Sequence, residues 1–147
     1  MDAAHFHLLV NHLPIIFPIV GVIIMIIGLL FKSDAVRRTA FLIFVIGSLT
    51  SIAAMKSGEG AEEVVENISG VTENYIERHE ESAEFFSILT YILGGLSLFG
   101  LWASIQQKTF SNIVNIAIMI FAFVVIYFGR LRLEILLPTR FCLRRVT

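Results

Sequence analysis

Apolar positions in this chain run together in four long blocks, at residues 8–31, 39–55, 85–105 and 113–128. Crossing the hydrocarbon of a bilayer as a helix takes roughly 20 such residues. The first and third blocks reach that length, whereas the second and fourth need flanking residues to complete a crossing. Backbone groups in lipid have no water to bind, so each block is predicted as a helix that satisfies its own hydrogen bonds. Small residues let such helices approach closely. Gly47 and Ser51 in the second block, and Ser87, Thr90, Gly94 and Ser97 in the third, form stripes that predict packing seams. The predicted fold is all-α: an integral membrane four-helix bundle over residues 1–133, then an irregular basic tail over 134–147.

Two features interrupt this pattern. Pro14 and Pro18 each remove a backbone donor, which in a continuous helix frees the carbonyls of Val10 and Pro14. The start of the first helix is therefore expected to be kinked or to begin late. The second feature is the polar connection at 56–84. Ser57-Gly58-Glu59-Gly60 reads as the end of the second span. Beyond it Glu59, Glu62, Glu63 and Glu66 recur at helical spacing, with Val64, Val65 and Ile68 on the other side. Ser69-Gly70 breaks the pattern, and it resumes from Glu73 to Glu84. Two short amphipathic helices in the loop are predicted, with the carboxylate stripe read as a solvated face. The alternative reading is a divalent-cation surface of hard oxygen ligands on Glu59, Glu62, Glu63 and Glu66.

Composition supports the membrane reading. The 147 residues are 56% hydrophobic and only 16% charged, with mean hydropathy +0.83, too apolar for a soluble domain of this size. A net charge of −1 argues against nucleic acid as a partner, and a single cysteine, Cys142, excludes an internal disulfide. The N-terminus lacks the basic region of a signal peptide, so the first block is expected to be a retained helix.

Charge also sets the expected orientation. Lys32, Arg37 and Arg38 follow the first block and Lys108 follows the third, while nine of the twelve carboxylates lie between Glu59 and Glu84. Basic loops stay in the cytoplasm. Both termini and the acidic connection are therefore expected outside a bacterial inner membrane. Arg130, Arg132, Arg140, Arg144 and Arg145 dissent from that topology, but tail charges orient less strongly than early loops.

That orientation gathers all four histidines, His5, His7, His12 and His79, on one face. Ionisable groups near hydrocarbon tend to face a bundle interior. Neutral imidazole is a good ligand for haem iron, zinc or copper. His12 and His79 come from different helices at similar predicted depth, which suits the two sides of a haem b. His5 and His7 are the alternates. The other readings are interfacial anchoring, and a zinc or copper site completed by a glutamate. No nucleophile–base pair, phosphate loop or dinucleotide fingerprint is present, so the chain is not expected to be an enzyme on its own.

The stretch His7-Leu8-Leu9-Val10-Asn11-His12-Leu13-Pro14-Ile15, then Ser57-Gly58-Glu59-Gly60-Ala61-Glu62-Glu63 and His79-Glu80, resembles a family of bacterial four-helix membrane proteins of unknown function (DUF twenty-two thirty-one). The resemblance covers about residues 5–132. Members look like small membrane cytochromes, which implies a haem-linked redox or electron-transfer subunit with a redox partner in the membrane. The family's fourth helix often leads through a glycine-basic segment to a histidine. Gly129-Arg130-Leu131-Arg132 resembles that segment, but Leu133 stands at the histidine position. A frameshifted or truncated gene end would produce the tail that follows, which is expected to be mobile or to lie on the membrane surface. The runner-up function is a non-catalytic membrane scaffold whose acidic outer loop binds a partner or cations.

Orientation is tested by cysteine labelling of intact cells, in a background with Cys142 replaced. Glu66→Cys should react with an impermeant reagent and Ser33→Cys should not. The reverse pattern overturns the topology.

Overall fold

The apolar blocks are helical in the computed structural model, three in one helix each and the first in two; it describes residues 3–65 and 73–136 and has no strand among them. Five helical segments follow one another: α1 (Ala3–Val10), α2 (Leu13–Leu30), α3 (Asp34–Val65), α4 (Glu73–Ile105) and α5 (Ser111–Leu136). Four stretches are long and apolar enough to cross a membrane: Leu13–Leu30, Asp34–Gly58, Glu80–Ile105 and Ser111–Leu131. The two blocks that looked short are thus completed by residues on either side. The long helices form a closed bundle in which α2 packs on α3, α3 on α4, α4 on α5, and α5 returns to α2. Met25, Phe41, Phe44, Leu93 and Val125 fill its interior at 0–1% exposure.

The first block is two helices. The Asn11 amide closes α1 on the His7 carbonyl at 2.9 Å, and the His12 carbonyl then accepts the Ile15 and Ile16 amides to begin α2. Pro14 falls at the second position of α2, where an amide has no intrahelical acceptor and its loss is harmless. Only Pro18 costs a helical bond. Its ring is buried on α3, 3.5 Å from where a Cβ on Gly47 would stand. The break does not change the line of the chain. Gly28 faces Arg37, Gly21 faces Phe44 and Gly47 faces Phe17 and Pro18; His7 of α1 then faces Ser57 and Gly58, in the same register along α3.

The acidic connection also differs from expectation. α3 passes through Ser57-Gly58-Glu59-Gly60 without interruption as far as Val65, and α4 already begins at Glu73. The polar stretches are therefore extensions of the long helices and not separate short ones. Glycine costs a solvated helix about 1 kcal/mol relative to alanine, a cost the long helix carries at Gly58, which lies against the His7 ring. At 32 and 33 residues, α3 and α4 are each about 50 Å long, well beyond the roughly 30 Å hydrocarbon thickness. α5 likewise runs to Leu136, three residues into the segment expected to be irregular. The rest of that tail, 137–147, lies outside the described residues, as does the predicted break at Ser69-Gly70.

At the opposite, basic end, both hairpins close with the same turn. The Ser33 amide bonds to the Gly28 carbonyl and Lys32 to Leu29; likewise Lys108 bonds to Ala103 and Gln107 to Ser104. This is the Schellman pattern, which demands a left-handed residue just past the helix. Lys32 (φ 52°) and Gln107 (φ 50°) occupy it.

Gly94 of the predicted stripe is a close contact, and Gly28 and Gly100, which the stripes did not include, are others. A Cβ on Gly94 would stand 2.5 Å from Ser48, one on Gly100 would stand 2.8 Å from the Phe41 ring, and one on Gly28 would stand 2.9 Å from the Arg37 backbone nitrogen. Around Gly95 nothing lies within 4 Å. Gly28→Ala should therefore destabilise by about 1–3 kcal/mol, since backbone cannot step aside as a side chain can. Gly95→Ala should be neutral or stabilising by about 0.5–1 kcal/mol through helix propensity. Thermal unfolding in detergent checks both, and equal losses would refute the packing account.

Candidate functional site

The sequence-predicted histidines belong to the acidic end, where α1, α3 and α4 are the relevant elements. α1 is a short apolar helix laid against α3. It holds the His7 Nδ1 3.0 Å from the Ser57 Oγ, across fifty residues of sequence. Ser57 in turn donates its hydroxyl to the Ala54 carbonyl at 2.9 Å, one turn back on α3. A hydroxyl has one proton to give. With that proton on Ala54, Ser57 accepts from His7, so Nδ1 carries a proton. Gly58 lies against the same ring: a Cβ there would stand 3.4 Å from His7 Cε1, at ordinary contact distance. Asn11, one turn along from His7, has a buried Oδ1 with no hydrogen-bond partner among the described residues.

His12 is placed differently. It is the residue before α2, in helical conformation (φ −85°, ψ −23°), exposed, and its side chain does not cap the helix. The α2–α3 register puts it opposite residue 53. His79 lies on α4 and His5 on α1, with side chains outside the described set. Ser51 and Ser87 are bonded across α3 and α4 at 3.0 Å. Eight residues toward the acidic end on each helix bring Glu59 opposite His79. The backbone of His79 is thus nearly level with His7 on Ser57. It is offset from His12 by about six residues, or roughly 9 Å of helix rise. Glu59, Glu62 and Glu63 are on the helical extension of α3, and Glu66 falls beyond the described residues. No three His, Cys, Asp or Glu side chains converge among the described residues.

The middle of the bundle holds a small polar seam where the serine–threonine stripe was predicted. Ser51, Ser87, Thr90 and Ser97 are all at most 5% exposed. Thr90 donates to the Ser87 carbonyl at 2.8 Å, which leaves Ser51–Ser87 as the interhelical bond. Ser97 Oγ and, on α5, Asn115 Oδ1 are buried without a partner among the described residues.

Sequence reasoning used Arg37 and Arg38 only for orientation and missed their contacts. Arg38 reaches α4, giving Nε to Ser104 Oγ at 3.1 Å and Nη2 to the Ser104 carbonyl at 2.8 Å. Arg37 reaches α5, giving Nη1 to Asn112 Oδ1 at 2.8 Å, and pairs with Asp34 at 2.6 Å. Two arginines one turn inside a helix at a span end were the available signal, because a helix C-terminus leaves carbonyls that cations satisfy.

Comparison with protein families, curated proteins and solved structures gives no match for this chain.

The His7 assignment is open to measurement. Nitrogen-15 imidazole spectra at alkaline pH should show His7 protonated at Nδ1, and Ser57→Ala should return it to the ordinary Nε2–H preference. An Nε2–H ring in the parent protein would contradict the hydrogen-bond chain.

Proposed function

We propose that this chain is a multi-pass protein of a bacterial inner membrane, with both termini and the acidic helix ends outside, whose acidic end offers imidazole to a metal, with haem b as the leading occupant in a redox or electron-transfer subunit. Support for the membrane comes from the surface. Only 28–39% of each candidate span is buried within the bundle, and the rest presents residues such as Leu30, Phe31, Ile113 and Ile120 outward. Such a surface is stable in hydrocarbon and not in water. The outward orientation rests on the Lys32, Arg37, Arg38 and Lys108 end acting as the cytoplasmic one. The family resemblance adds to this reading.

The observation that carries the cofactor reading is the anchored His7 ring. Metal-ligating histidines characteristically donate their other ring N–H to a fixed acceptor, which sets ring orientation and raises the basicity of the ligating nitrogen. Ser57 is such an acceptor for His7 Nδ1, and Nε2 would be the nitrogen turned to the iron. The mid-bundle interior cannot take a macrocycle, because Met25, Phe41 and Phe44 fill it. We place the site at the acidic end, with His7 and His79 as the residues that would hold the iron and His12 and His5 as alternates. A haem there would supply one-electron exchange. Ser57 would hold the ring and the α1–α3 contact would fix its distance from the bundle.

The visible spectrum tests this directly. Reduced protein should show the sharp bands of a six-coordinate b-type haem, and His7→Ala and His79→Ala should each abolish them while His12→Ala leaves them. Loss with His12→Ala alone would move the site to α2. A colourless preparation after haem-supplemented expression would sink the cofactor reading and leave the acidic helix ends as a scaffold surface for a partner or cations.

A further inference from the structure

At the basic end, α2 and α5 part to leave a cleft of about 410 Å³ lined by Leu29, Lys32, Arg37, Asn112 and Ile116. Its lining divides by chemistry. Lys32 and Arg37 bring positive charge, and Asn112, whose Oδ1 is taken by Arg37, keeps its amide N–H groups as donors. Leu29 and Ile116 lie on the span side of these groups and form an apolar floor.

The two cations are not equivalent. Arg37 is a fixed arm, only 12% exposed, with one end on Asn112 and the other on Asp34, which offsets part of its charge. Lys32 is exposed at the left-handed position of its turn, and its ammonium makes no hydrogen bond or ion pair among the described residues. The uncompensated charge on the cleft is therefore that of Lys32. It stands beside the most exposed apolar residues of the bundle: Leu30 and Phe31 at 75% and 78%, and Ile113 at 72%.

A small anion would satisfy the rim and leave the floor and this surrounding surface bare. An apolar tail alone would leave Lys32 without a counter-charge. Both needs are met by one molecule that joins an anion to an acyl chain. Basic pockets between helices on the cytoplasmic side suit such headgroups. We propose that the cleft binds an anionic phospholipid, its phosphate between Lys32 and the Asn112 amide and one acyl chain along Leu29 and Ile116. This rests on the membrane reading above and is independent of haem.

The test uses the full chain in neutral detergent, titrated with phosphatidylglycerol, with phosphatidylcholine, or with inorganic phosphate, and read by thermal unfolding. Phosphatidylglycerol should raise the melting temperature by about 5 °C, as a ligand binding the native state does. Phosphatidylcholine and inorganic phosphate should do little. Lys32→Gln should remove most of the shift; the turn survives, since Gln107 adopts the same φ at the other hairpin. Ile116→Trp, which fills the floor, should remove it too, and Lys56→Gln at the opposite end should not. Equal shifts with phosphatidylcholine, a full shift with phosphate alone, or an undiminished shift in Lys32→Gln would each overturn the proposal. Alkaline carbonate extraction reads the membrane assignment separately. Release from membranes would overturn both readings, whereas a retained chain with no lipid preference overturns this one alone.

Discussion

Contact distance between helix backbones is the constraint on which this structure depends. The outside of the bundle is as apolar as its inside, so burial of greasy surface cannot by itself decide how the helices sit. What remains is van der Waals fit, which falls off steeply with small gaps. Glycine supplies it on each long helix. Gly21 and Gly28 on α2 admit Phe44 and the Arg37 backbone, Gly47 on α3 admits Phe17 and Pro18, and Gly94 and Gly100 on α4 admit Ser48 and Phe41. Gly129 on α5 lies beneath the Phe86 ring. α3 shares most of these approaches.

Polar groups then fix what packing leaves undetermined. At the basic end Arg37 and Arg38 tie α3 to the start of α5 and the end of α4, so the two hairpins are held together where their turns are. At the acidic end the tie is His7 to Ser57. Between them the Ser51–Ser87 bond sets the register of α3 on α4. The Ser51–Ser87 bond is buried, a setting with few competing partners where position is strongly specified.

Much of the fold could be read from the chain, because a helix that crosses hydrocarbon needs an apolar length that few other structures use. The four blocks follow from that, while the small-residue seams and the break before α2 are marked by their own residue types, glycine and serine in one case and Pro14 in the other. The continuation of α3 through Gly58 and Gly60 could not be read the same way. Glycine marks a helix end when water is the alternative, and marks a contact when another helix lies on it; only the position of α1 distinguishes these. The candidate site was partly visible for a related reason. His7, His12 and His79 announce themselves by residue type. Nothing local to His7 or Ser57 says that they meet, and depth estimated from block ends is too coarse to separate His7 from His12.

The paired Schellman turns have a consequence for how the molecule assembles. Each joins two long antiparallel helices, through three residues in one hairpin and five in the other, so α2 with α3 and α4 with α5 are units of nearby sequence, quick to close and cheap in loop entropy. Joining one unit to the other relies on partners far apart in the chain, Ser51 with Ser87 and Arg38 with Ser104. Helical hairpins therefore form first and dock second. The arginine contacts, which sit at the closed ends of both, act as the latch of the second step.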